Sequence, residues 1–283
     1  MLSRILVWIA GMLPNWLVVR IGKWQAQNGL VRRIVGWGRD ISREQDMTIR
    51  AGVGAGLKFQ TGDSNFGYIL GTSEPQTQGA LKKYLKPGSC FYDIGSNVGF
   101  LTVIGARLVG DKGQVYAFDP VPKHTALVKR NCEQNGFTHV TVFQNAVSAE
   151  NGVAEFVISP RSAESRLNAA WDGTTGGEKV RVECVALDKF IETNHLRPPD
   201  VCKIDVEGAE VDVLRGMMQT LLKYKPVIVC DTHGTHKEVA AVLEEAGYWC
   251  GTMEHPDQPL SEAEYYAHAL AIPAEAHVPA GAA

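Results

Sequence analysis

No run of the ~18 apolar residues that a membrane-spanning helix needs occurs in this 283-residue sequence. The longest uncharged stretch, Ile5 to Val19, is interrupted by Pro14 and Asn15. Basic charge is not in excess: 28 Lys and Arg face 31 Asp and Glu, a formal charge of -3, which argues against a nucleic-acid binder held by a basic face. The six cysteines (Cys90, Cys132, Cys184, Cys202, Cys230, Cys250) contain no C-x-x-C pair. Most sit inside apolar runs, which predicts buried free thiols and a reducing, cytoplasmic compartment. Internal repeats and heptads are also missing. With 45% hydrophobic and 21% charged residues, a sizeable core can form and wholesale disorder is excluded.

What is present is unevenly spread. Residues 1–40 carry Arg4, Arg20, Lys23, Arg32, Arg33 and Arg39 against Asp40 alone, with four of the six tryptophans (Trp8, Trp16, Trp24, Trp37). Leu2, Ile5, Leu6, Ile9 and Leu13 recur at helical spacing. Residues 1–46 therefore read as an amphipathic helical segment. It either caps the main domain or lies in a membrane interface, with rings at headgroup depth and cations toward anionic lipid on the inner face. A cleaved signal is a third reading. The main domain is expected over 47–272, with a frayed tail over 273–283.

From residue 47 to 70 glycines and short apolar runs predict short strands and turns. Ser73 as N-cap, with Pro75 close behind, predicts a helix reaching Lys86 and stopped by Pro87-Gly88. Strand and helix then alternate: strands at Cys90–Ile94, Gly113–Phe118, Val140–Phe143, Val201–Ile204 and Val227–Cys230, and helices at Val98–Val109, Val121–Gln134, Ala209–Leu222 and His236–Ala246. This pitch means right-handed crossovers and a parallel sheet covered on both faces. Two further strands, Val153–Ile158 and Val180–Ala186, flank a polar stretch, Ser159–Lys179, that reads as a long functional or mobile loop. Tyr248–Thr252 and Ala267–Ile272 close the domain.

Three strand-to-helix junctions carry chemistry. In Asp93-Ile94-Gly95-Ser96-Asn97-Val98-Gly99, Gly95 permits a turn that no Cβ could follow, and Gly99 allows close approach to a ligand or to the strand. Asp119, ending the next strand 26 residues after Asp93, is placed to accept hydrogen bonds from ribose hydroxyls. A dinucleotide site would need a glycine in the middle of the first turn to admit a pyrophosphate. Asn97 stands there instead. S-adenosylmethionine has no phosphate, and Asp93 suits its amino-acid end. The third junction, Lys203-Ile204-Asp205-Val206-Glu207-Gly208-Ala209-Glu210, puts Asp205 beside the same crevice. A helix start accounts for Glu207 and Glu210.

These motifs, with Phe118-Asp119-Pro120, Asn145-Ala146-Val147 and Val185-Ala186-Leu187-Asp188 between them, resemble the FkbM family of S-adenosylmethionine-dependent methyltransferases over about residues 70–272. The resemblance implies an α/β class I methyltransferase fold: a seven-stranded, mostly parallel sheet whose final strand is antiparallel. It implies that Asp93, Gly95, Ser96, Asn97 and Gly99 line the methionine and turn region, that Asp119 holds the ribose, and that Asn145 and Ala146 flank the adenine. Glu74 resembles an acidic position that precedes the first strand.

The same resemblance implies methyl transfer to a hydroxyl of a sugar, glycolipid or secondary metabolite. Such an in-line displacement needs a positioned oxygen and a base, for which Asp205 and His233 are the candidates. A divalent metal held by Asp205, Asp231 and His233 is an alternative, though no metal ligand is assigned. The Ser159–Lys179 loop offers Arg161, Glu164, Arg166, Asn168 and Trp171 to a sugar. If residues 1–40 touch a membrane, the acceptor is lipid-linked. A nicotinamide-dependent oxidoreductase and a non-catalytic adaptor on the same fold remain the competing readings.

Overall fold

The computed structural model describes residues 45–158, 166–167, 178–255, 257–263 and 266–277. The cap or membrane-interface expectation for residues 1–40 falls outside them, as do Arg161, Glu164, Asn168 and Trp171. Among the described residues no helix is long and apolar enough to cross a membrane.

A short antiparallel pair, β1 (Met47–Thr48) and β2 (Lys58–Phe59), leads into α1 (Gly67–Leu70) and α2 (Pro75–Tyr84). The expected cap at Ser73 is not used. Gln78 Nε2 donates to the Ser73 carbonyl at 2.7 Å, and Glu74 takes the N-cap position in the left-handed region at φ 50 with no side-chain cap bond. Pro75 tolerates this start because its missing N–H is one a first turn leaves unpaired anyway.

Alternation follows: β3 (Cys90–Ile94), α3 (Phe100–Val109), β4 (Gln114–Phe118), α4 (Pro122–Gln134), β5 (Val140–Phe143), β6 (Ala146–Ser148), β7 (Gly152–Ile158), β8 (Arg166–Leu167), β9 (Glu178–Ala186), α5 (Leu187–Thr193), β10 (Val201–Ile204), α6 (Glu210–Gly216), α7 (Met218–Tyr224), β11 (Val227–His233), α8 (His236–Glu245), β12 (Tyr248–Thr252) and β13 (Tyr266–Pro273). Seven strands form one sheet in the order β12-β13-β11-β10-β3-β4-β5. Its pairs are parallel except those of β13, which runs antiparallel to both β11 and β12. This is the class I methyltransferase sheet that the resemblance implied. Every residue of β3 is buried, as a strand covered on both faces demands. One core packs Tyr92, Ile94, Cys202 and Ile204 against Val213, Leu214 and Val239. The other packs Phe91 and Val115 against Leu101, Ile104 and Leu81. All six cysteines are free and buried.

The expected strands over Val153–Ile158 and Val180–Ala186 are present, as β7 and β9, which join β6 and β8 in a separate four-stranded sheet. Three expectations are corrected. β9 begins earlier, at Glu178. The single helix over 209–222 is two. Gly216 presses on the Ser148 carbonyl, where an added Cβ would come within 2.0 Å, and Asp188 caps the second helix by accepting the N–H groups of Gln219 and Thr220 at 2.7 and 2.8 Å. Finally, residues 273–277 of the expected tail are packed, and the rest lies outside the described residues. Pro273 still pairs with Tyr248, a 3-10 turn covers Ala274–Ala276, and His277 stacks on Trp249 at 3.8 Å.

Candidate active site

In a parallel sheet the strand ends on one edge share a crevice. Here that crevice is a cavity of about 220 Å³ lined by residues following β3, β4, β10 and β11. Asp93, Gly95, Ser96, Asn97, Asp119, Asn145, Ala146, Asp205 and His233 all line it, and Glu74 reaches it from the start of α2. Gly99 does not line it. Its φ of 87 and its approach to Val128, 3.2 Å from where a Cβ would stand, show that it serves the contact between α3 and α4. Gly95 is set by backbone: φ is 79, and a Cβ would sit 1.9 Å from the Asp205 carbonyl oxygen. The first turn is therefore welded to the turn after β10.

On the β3–β4 side, Asp93 is fully buried and accepts a bond from Thr102 Oγ1 at 2.5 Å. Burial raises its pKa, against the pull of Lys203 and Thr102. Its Oδ1 and the Ser96 hydroxyl have no hydrogen-bond partner. Asp119 is nearly saturated: Oδ1 accepts the Val121 N–H and faces His124 Nδ1, both at 2.9 Å, and Oδ2 accepts the Asn97 N–H at 3.0 Å. One lone pair of Oδ2 is left over. Asn97, at φ 49, accepts from Ser64 Oγ at 3.0 Å. Asn145 donates to Glu183 at 3.2 Å.

On the β10–β11 side, Lys203 is buried and spans both turns, with Nζ 3.3 Å from the Gly95 carbonyl and 3.2 Å from Asp205 Oδ2. Burial alone would lower its pKa, but Asp205, Asp93, Glu74 and Asp231 hold it well above the usual lysine value. Glu74 Oε2 is shielded and has no hydrogen-bond partner, and burial lifts its pKa to about 8. Burial with Asp205 nearby lifts Asp231 to about 6. His233 Nδ1 lies 2.9 Å from Glu210 Oε1, while Nε2 lies 3.7 Å from Asp205 Oδ1 and 3.6 Å from Glu207 Oε2. Burial would depress the imidazole, but Glu210, Asp205 and Glu207 push it up to about 9.

Residues 93–250 match the Methyltransferase FkbM domain. The chain belongs to the FkbM methyltransferase family. It is 30% identical over 156 residues to the hexuronic acid methyltransferase AglP of Haloferax volcanii, covering 55% of this chain and 61% of that protein. It is 26% identical over 202 residues to the 31-O-demethyl-FK506 methyltransferase FkbM of Streptomyces tacrolimicus, covering 61% and 77%. Over 154 residues it is 28% identical to the 2-O-methyltransferase NoeI of Sinorhizobium fredii, covering 49% and 61%. The match thus spans less than two thirds of the length of AglP and of NoeI.

Four cavity groups of this FkbM-family methyltransferase were hidden in the sequence. Lys203 stood inside a recognised motif, but strand periodicity hides a buried lysine. Tyr68 and His124 belong to no motif, and each lines the cavity from a helix. Glu207 is not part of a helix start, as its position suggested. It sits at φ 54 in the turn before α6, facing His233. Glu210 does accept the Gly208 N–H at 2.8 Å, as an acid at a helix start should, but it also holds His233 and accepts Thr235 Oγ1 at 2.6 Å. These bonds outweigh burial and lower its pKa.

Proposed function

We propose that this methyltransferase places the methyl of S-adenosylmethionine on a hydroxyl oxygen of a sugar, or of a natural product bearing such a hydroxyl. One observation carries the reading. Six carboxylates line the cavity (Glu74, Asp93, Asp119, Asp205, Glu207, Asp231), and Lys203, its one lysine among the described residues, is already engaged by Asp205. A pyrophosphate would meet an excess of acidic groups. A cofactor with an ammonium and a sulfonium meets complementary charge, and the shielded acceptors Asp93 Oδ1 and Glu74 Oε2 match groups that donate hydrogen bonds. This weighs against the nicotinamide reading.

When bound, the cofactor supplies a methyl already activated for in-line displacement. The chain's own part is to bind and orient. The remaining lone pair of Asp119 Oδ2 accepts a ribose hydroxyl, with His124 and the Asn97 amide keeping the carboxylate in place. Asn145 and Ala146 border the adenine. The acceptor hydroxyl lies against the Asp205–His233 pair; because the neighbouring carboxylates push His233 up to about 9, Asp205 is the member that takes the proton at neutral pH. The acceptor class is supported by the names of the relatives, which include a hexuronic acid methyltransferase and a 2-O-methyltransferase.

The test is incubation with methyl-labelled S-adenosylmethionine and a panel of uronic acids, neutral sugars and acceptor extracts, read by mass spectrometry. The expected result is one added methyl on oxygen, abolished in Asp205→Asn while cofactor affinity by calorimetry is retained. Tighter binding of NAD than of S-adenosylmethionine would overturn the cofactor reading. Cofactor binding without any methylated product would favour the adaptor.

A further inference from the structure

We infer that Asp205, Glu207 and His233 form a site for one divalent first-row cation on the β10–β11 side of the cavity. Each of the three side chains offers one ligand atom, and these atoms lie within 4.8 Å of one another. The 3.6 and 3.7 Å gaps from His233 Nε2 to Glu207 and Asp205 are too long for N–H···O hydrogen bonds. They stand slightly beyond the spacing of about 3.0–3.5 Å between neighbouring ligand atoms of a cation with bonds of ~2.0–2.2 Å, so a bound ion would draw them together.

Two observations outside the trio point the same way. Asp231, on the neighbouring strand end, lines the same cavity with an Oδ1 that is shielded from solvent and accepts no hydrogen bond. Its nearest basic atom, His268 Nε2, is 3.9 Å away, so this acceptor also lacks a donor. Glu210, fully buried, takes His233 Nδ1 and thereby aims Nε2 at the two carboxylates. A carboxylate behind the second ring nitrogen is the usual support of a metal-binding histidine. Asp205 divides its oxygens, giving Oδ2 to Lys203 and Oδ1 to the cluster. One imidazole with carboxylate oxygens favours manganese or zinc over calcium, and three protein ligands leave positions open for an oxygen-bearing acceptor. The inference deepens the acceptor half of the proposed function and rests on that reading only for what fills the open positions.

The experiment titrates chelator-treated, full-length protein with Mn²⁺, read by electron paramagnetic resonance and calorimetry, with S-adenosylmethionine affinity measured on the same samples. One Mn²⁺ per chain is expected, bound about tenfold or more weakly in Glu207→Gln and in His233→Ala and unchanged in the distant Glu155→Gln. No saturable Mn²⁺ binding by the wild type overturns the site, as does unchanged binding in both cavity variants. Zn²⁺ replaces Mn²⁺ in a second arm with the same criteria. If a variant fails to fold, the wild-type stoichiometry and the other variant decide. Cofactor binding without metal binding sinks this site alone, whereas metal binding without cofactor binding sinks the methyl-transfer reading.

Discussion

On the β3–β4 side of the cavity, Asp119 already receives two backbone amides and faces a histidine. On the β10–β11 side, His233 Nε2 faces Asp205 and Glu207 across gaps with no hydrogen bond. On the first side the chain fixes the orientation of Asp119 and leaves Asp93 Oδ1 and the Ser96 hydroxyl open, which is what holding a ligand of fixed shape requires. The second ties its charges together from behind, Lys203 on Asp205 and Glu210 on His233, and leaves His233 Nε2, Asp205 Oδ1 and Glu207 Oε2 clustered at the cavity. Lys203 joins the two through Gly95 and Asp205.

That bridge is the strongest place to break the contrast. Replacing Lys203 with Met leaves Asp205, Asp93, Glu74 and Asp231 around an uncharged centre, and unfolding free energy should fall by about 3–5 kcal/mol, measured by urea denaturation. A loss below about 1 kcal/mol would show the two sides to be independent. Next in size, Asp119→Ala should weaken S-adenosylmethionine binding by about 1–3 kcal/mol by calorimetry, while leaving Mn²⁺ binding as in the wild type. If it disturbed the metal instead, the division into halves would be wrong.

Glu74 offers a pH-resolved version. Its pKa is raised to about 8, whereas the unfolded chain releases this proton near its ordinary value of 4.5. Between these the folded state binds more protons, so stability falls as pH rises. Glu74→Gln removes that slope: its advantage over the wild type should grow from pH 5 to pH 8 in thermal melts. A difference independent of pH would mean that Glu74 ionises normally in the fold. The smallest effect belongs to a pair outside both halves. Arg215 and Glu245, 2.7 Å apart and each about half exposed, should contribute about 0–1 kcal/mol, and Arg215→Ala should leave cofactor affinity untouched.

The same contrast explains what could be read before the structure. The β3–β4 side was legible because its geometry is local: Gly95 needs a positive φ, and Asp119 ends a strand. The parallel sheet was legible because strands and helices alternate, whereas its seven strands and antiparallel final strand came from the family resemblance. The β10–β11 side was only half legible. Asp205 and His233 stood at predicted strand ends, but Glu207 and Glu210 looked like ordinary acids at a helix start. Their approach to His233 spans more than twenty residues and depends on β10 and β11 being neighbours. The break at Met217 was hidden for the same reason, because the carboxylate that caps α7 comes from Asp188, on a different helix.

The placement of β13 bears on how the molecule is made. It follows β12 in the chain, yet it inserts between β11 and β12 and sets His268 beside Asp231. Until residue 273 has emerged, the nascent chain presents β11 with an open hydrogen-bonding edge, the kind of surface that invites aberrant association. Vectorial synthesis therefore leaves that edge uncovered until after β12 has been made.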